Sequence, residues 1–84
     1  MRQWTFIKKN PTKKDIATSF ADLREFLTTN DIIHGTFGRY NKAGKKVTEW
    51  VFEIDWRLPT KVRKRLEAAG FVGHKWVKGE KVNL

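Results

Sequence analysis

Val47-Thr48-Glu49-Trp50-Val51-Phe52-Glu53-Ile54-Asp55-Trp56 decides how this chain folds. Successive side chains of a strand point to opposite faces, so the alternation sorts this stretch into two sets. Thr48, Trp50, Phe52, Ile54 and Trp56 fall on one face; Val47, Glu49, Val51, Glu53 and Asp55 fall on the other. The first set is the apolar one and must face a core. Upstream, residues 32–40 form the partner strand of a hairpin. Its loop, Asn41-Lys42-Ala43-Gly44-Lys45-Lys46, contains the glycine such turns need. Pairing Tyr40 with Val47 sets Gly35 across from Phe52 and Ile33 across from Ile54, a register that keeps apolar residues together.

Residues 2–8 read as another strand, with Trp4 and Phe6 on one face and Thr5 and Ile7 on the other. Asn10-Pro11 ends it. Thr12 then opens a helix, with Asp15 three residues later as its capping-box partner; Ser19 with Asp22 forms a competing, later start. Ile16, Phe20, Leu23 and Leu27 make one helical stripe.

After the hairpin, Pro59 suits the first position of a second helix. Its inner face is Val62, Leu66 and Ala69. Gly70 fits the left-handed residue after a helix end, which would let Phe71 touch Leu66 in a Schellman ending. Residues 71–78 form a last strand and residues 79–84 a flexible tail. The order is β-α-β-β-α-β. A single α+β domain over residues 1–84 follows: a two-layer sandwich, ferredoxin-like in topology, with an antiparallel-rich sheet and two helices on one face.

The chain has 84 residues and a net charge of +9, from 18 Lys and Arg against 9 Asp and Glu. That excess favours polyanionic partners. There is no cysteine, so disulfides and thiolate metal sites are excluded. No apolar run resembles a signal peptide or a membrane span, which leads to the expectation of a soluble, cytoplasmic protein, cellular or phage-like.

The charge is not spread evenly. Arg57, Lys61, Arg63, Lys64 and Arg65 crowd the start of the second helix with no acid among them. A helix N-terminus is already electropositive, so cations there oppose the dipole by about 0.3–1 kcal/mol each where exposed. Such a tip is suited to an anion, and phosphate is the natural one. Arg57 and Thr60 would assist Lys61, Lys64 and Arg65; Arg63 lies one turn from Glu67 and can pair with it. A second basic group combines Lys8, Lys9, Lys13 and Lys14 with Lys42, Lys45 and Lys46. In this topology the two groups form poles at opposite ends of the domain, positioned to follow a nucleic-acid backbone.

Trp56 and Trp76, near strand ends, are candidates to stack on a base. The RNA-recognition motif shares this element order and binds on its open sheet face. Here Glu49, Glu53 and Asp55 would stand on that face and repel phosphate, and the aromatic pattern of that strand is missing. Helix ends and loops are therefore the expected surface.

Enzymatic signals are thin. His34 and His74 are the only histidines, no Gly-rich phosphate loop is present, and no metal-ligand cluster or cofactor motif occurs. The leading expectation is a small non-enzymatic protein that binds DNA or RNA, as a monomer or small homo-oligomer. The alternatives are an inhibitor or adaptor of phage type docking on an acidic enzyme surface, and a minimal ribonuclease using its histidines. Membrane association is disfavoured, because the amphipathic first helix is net acidic.

Overall fold

The structure, a computed structural model, describes residues 2–77 and 79–84, with the side chain of residue 2 left aside. Its elements are β1 (Arg2–Lys9), α1 (Phe20–Thr29), β2 (His34–Tyr40), β3 (Val47–Asp55), α2 (Thr60–Ala68), β4 (Val72–Val77) and β5 (Glu80–Asn83). A turn of π-helix, Asp15–Ser19, leads into α1. The class is α+β: one five-stranded antiparallel sheet in the order β2-β3-β1-β4-β5, with two helices.

The expected alternation of β3 holds from Thr48 to Ile54. In β1, Phe6 lies across from Phe52 and Trp4 across from Ile54. Phe6, Phe52 and Ile54 are fully buried with Phe20, Leu23 and Leu27 of α1 and Val62 and Leu66 of α2. Both helices therefore cover the same face of the sheet. Phe20 and Phe71 join Phe52 edge-on, with ring centroids 5.3–6.5 Å apart, and Trp50 stacks on Phe20 at 5.2 Å. Such pairs contribute about 0.5–1.5 kcal/mol each beyond their buried area.

The hairpin register differs from the expected one by a residue. Tyr40 does pair with Val47, but Arg39 pairs with Glu49, so Thr48 is the extra residue of a β-bulge. Beyond it Gly38 faces Trp50, Thr36 faces Phe52 and His34 faces Ile54. The slip turns Phe37 and Arg39 to the open face and Thr36 and Gly38 towards the helices. It has a steric cause. A β-carbon on Gly38 would lie 2.8 Å from Cζ3 of Trp50, so the indole needs a glycine beneath it. The indole N–H then donates to Thr36 Oγ1 at 2.8 Å.

Four further expectations are corrected. Trp56 does not continue the apolar face of β3: it takes φ +66° and is 74% exposed. Pro59 is the residue before α2, not its first residue. Residues Glu80–Asn83 are a strand paired with β4 where a tail was expected. Ile33 lies outside β2 and is exposed, while Ile32 enters the core.

Local chemistry sets the helix limits. The Thr12 N–H donates to Asp15 Oδ2 at 2.9 Å and the Asp15 N–H to Thr12 Oγ1 at 3.0 Å, which is the reciprocal capping box. The Thr12 N–H is the main cause holding the Asp15 carboxyl below its ordinary value of 3.8. Both helices end in Schellman motifs. In α2, Phe71 N–H bonds Leu66 O and Gly70 N–H bonds Glu67 O, with Gly70 at φ +94°. In α1, Ile32 N–H bonds Leu27 O and Asp31 N–H bonds Thr28 O, with Asp31 in glycine's place at φ +57°.

Three outcomes are expected. Gly38→Ala should cost about 1–3 kcal/mol in urea unfolding, the penalty of overpacking a filled site; an unchanged midpoint would contradict the Trp50 contact. Asp31→Gly should gain up to about 1 kcal/mol, because it relieves left-handed strain and removes an anion from a helix C-terminus. Because the Asp15 carboxyl is depressed, its stabilisation is present above the ordinary carboxylate value and lost as pH falls through the lower folded value. The urea midpoints of wild type and Asp15→Asn should therefore differ near neutral pH and converge as the pH falls below the ordinary carboxylate value; a gap that widens in acid would show the opposite sign.

Candidate nucleic-acid interface

β1 and β2 both run antiparallel to β3, so the loops that follow them emerge at the same end of the sheet. The Asn10 N–H donates to the Thr48 carbonyl at 2.8 Å, which holds the chain after β1 against the root of the hairpin. Asn41 shapes the hairpin loop: its N–H bonds Lys46 O, its carbonyl accepts from Gly44 and its Oδ1 accepts from Lys45. Lys13, Lys14, Lys42, Lys45 and Lys46 are thereby brought to one pole, and all five are exposed. α2 begins from the far end of β3, so its N-terminal tip forms the opposite pole.

The tip is exposed, as a binding surface needs, but its five cations are not equivalent. Arg57 turns away from it. Its Nη2 donates to the carbonyls of Asn30 at 2.8 Å and Asp31 at 3.5 Å, closing the C-terminus of α1. A cation there is worth about 0.3–1 kcal/mol, which gives this arginine a folding role. Arg63 reaches Glu67 at 4.0 Å, the expected one-turn pair. Arg65 lies over the Phe26 ring at 5.2 Å and, with Ala68, borders a shallow cleft shared with Asp22 of α1. A carboxylate there disfavours phosphate, which sets Arg65 apart from Lys61 and Lys64 as a phosphate contact.

Lys61 and Lys64 are left. Both are exposed, and neither has an ion-pair partner among the described residues. Thr60 is exposed beside them. No side chain caps the helix, because Pro59 occupies the capping position, and no acid lies in the first turn. The N–H groups of Val62 and Arg63 are taken by Pro59 O.

Trp56 stands at the root of this tip. The Arg57 N–H donates to Asp55 O at 2.8 Å across a residue of positive φ. That is the strained form of the γ-turn, rare for a bulky side chain and costing on the order of 1–3 kcal/mol. It tips the indole out of the core layer and into solvent beside the basic helix. Trp76, the other stacking candidate, is tied down: its N–H donates to Thr5 Oγ1 at 2.9 Å.

At the other pole Lys8 leaves the basic group. Its ammonium donates to Ala69 O at 2.9 Å, closing the end of α2, and pairs with Asp15 at 3.4 Å. Each helix therefore has its carbonyl end closed by a cation from elsewhere in the chain. Sequence reasoning does not find these two roles, since nothing local marks a contact between residues 8 and 69 or 57 and 30.

The histidines lie on opposite faces of the sheet. His34, across from Ile54, is on the helix side, with Nδ1 2.8 Å from Ile32 O. His74, across from Thr5, is on the open side. They cannot act as a general acid and base on one bond. Among the described residues no group of three or more His, Cys, Asp or Glu could hold a metal, and no helix is long and apolar enough to cross a membrane.

In comparisons with known proteins, no protein-family model matches the chain, and neither a curated protein nor a solved structure matches it significantly.

Proposed function

We propose that this protein is a small, non-enzymatic nucleic-acid-binding protein that grips phosphates at two basic poles, with limited sequence readout. The observation that carries the reading is the division of its cations. Lys8, Arg57, Arg63 and Arg65 have internal work. Lys13, Lys14, Lys42, Lys45, Lys46, Lys61 and Lys64 are exposed and without an ion-pair partner among the described residues. Such charges raise the local potential, and they gain free energy by releasing counterions from a polyanion. Trp56 supports the reading, because an exposed indole next to lysines can stack on a base, worth about 1–3 kcal/mol.

The residues proposed to touch phosphate are narrower than the sequence implies. Thr60, Lys61 and Lys64 serve one pole, and the five loop lysines serve the other; Arg57 supports the tip from behind. The fold is read as a ferredoxin-like sandwich extended by a fifth strand, which the order β2-β3-β1-β4 supports. A cytoplasmic location accords with such a partner.

The test is fluorescence anisotropy with labelled single- and double-stranded DNA and RNA, titrated at two salt concentrations. The Lys61→Glu/Lys64→Glu and Lys45→Glu/Lys46→Glu variants should each bind more weakly. Removing one phosphate-binding lysine should lower the slope of log K against log salt by about 1. Unchanged affinity and slope in both variants would overturn the proposal. Absence of binding down to low salt would turn the same lysines towards an acidic protein partner.

A further inference from the structure

The open face of the sheet, opposite the helices, carries a cleft of about 580 Å³ where β1 and β3 meet the β4–β5 hairpin. Lys9 and Lys81 flank it, His74 and Asn83 sit side by side across the β4–β5 ladder, and Ile7 and Val72 supply apolar surface. This size suits a small molecule with a few fixed polar groups. Glu49, Glu53 and Asp55 argue against an anion on this face when read from sequence. Only Glu49 borders the cleft, and its carboxylate is paired with Arg39 at 3.6 Å. The local balance is therefore cationic.

His74 adds a directional group. Its Nδ1 is buried with no hydrogen-bond partner among the described residues. An orphaned N–H is rarer and more costly than an unused lone pair, so the proton belongs on Nε2, the nitrogen left accessible to the cleft. In this tautomer the ring presents a donor to the cleft. Asn83 beside it offers both a donor and an acceptor, the combination that reads the edge of a heterocycle.

We propose that this cleft binds a nucleoside 5′-phosphate, with the base against Val72 and Ile7, its edge towards Asn83 and His74, and the phosphate at Lys9, at the end of the cleft away from Lys81. Two sources share this chemistry: a free nucleotide and the phosphorylated end of a strand. The site lies on the sheet face, not at the α2 tip, and goes beyond the phosphate-backbone reading without depending on it.

The experiment is an amide chemical-shift titration of the ¹⁵N-labelled protein with adenosine 5′-monophosphate, adenosine and inorganic phosphate. Saturable shifts at Val72, His74, Lys81 and Asn83 are expected with the monophosphate, and binding about tenfold weaker with either part alone. Lys9→Glu, at an exposed position, should weaken the monophosphate by about tenfold, while Arg24→Glu, on the exposed face of α1, leaves it unchanged. A 5′-phosphorylated hexanucleotide that moves the same amides, where its unphosphorylated form does not, assigns the strand end; response to the mononucleotide alone assigns the free ligand. Shifts confined to residues outside the cleft, no shift at millimolar concentration, or equal binding of phosphate and monophosphate by the cleft residues would overturn the proposal.

Discussion

The burial of Phe6 and Phe52, cross-strand neighbours on one face of the sheet, is the constraint from which the rest follows. The two rings sit across the β1–β3 ladder and are fully buried beneath both helices. Burying such side chains contributes roughly 1.5–3 kcal/mol each, more than any surface ion pair in the molecule. That layer dictates where α1 and α2 lie. The helices in turn dictate which ends of the sheet collect the loops and which collects the α2 tip. The charge pattern is thus displayed by a core built from apolar side chains.

The basic residues divide by the work the fold gives them. A helix ends in unpaired carbonyls, which attract a cation. Lys8 meets this demand for α2 and Arg57 for α1. An arginine suits the α1 end, where two carbonyls lie within reach of one guanidinium. Once these roles are filled, the lysines of both poles have no intramolecular reason to be where they are. Exposed pairs are worth little, so folding would tolerate neutral residues at these positions. The γ-turn at Trp56 is of the same kind: it costs free energy and gives the core nothing.

Features encoded by neighbouring residues were legible. Alternation along β3, the capping box of Thr12 and Asp15, the Schellman ending at Gly70 and the Arg63–Glu67 pair all appear where spacing placed them. What failed was non-local. The bulge at Thr48 depends on room for Trp50 over Gly38, a contact between strands. Trp56 fits the alternation to the last residue, yet the strand ends one position earlier. Val51 shows the limit of binary patterning, since it lies on the open face but is fully buried between Ile7 and Phe37. Glu80–Asn83 has too few residues to announce a strand, and pairing with β4 supplies what the segment lacks. With that strand unseen, the cleft that Lys81 and Asn83 line was unseen too.

The most direct measurement is an amide chemical-shift map of the ¹⁵N-labelled protein with an unphosphorylated single-stranded oligonucleotide at low salt. Perturbed amides should fall in residues 10–14, 41–46 and 56–64, at opposite ends of the sheet, with those of Phe6 and Phe52 unmoved. Perturbations confined to the groove between the helices, or none at all, would contradict the division of cations on which the functional reading stands.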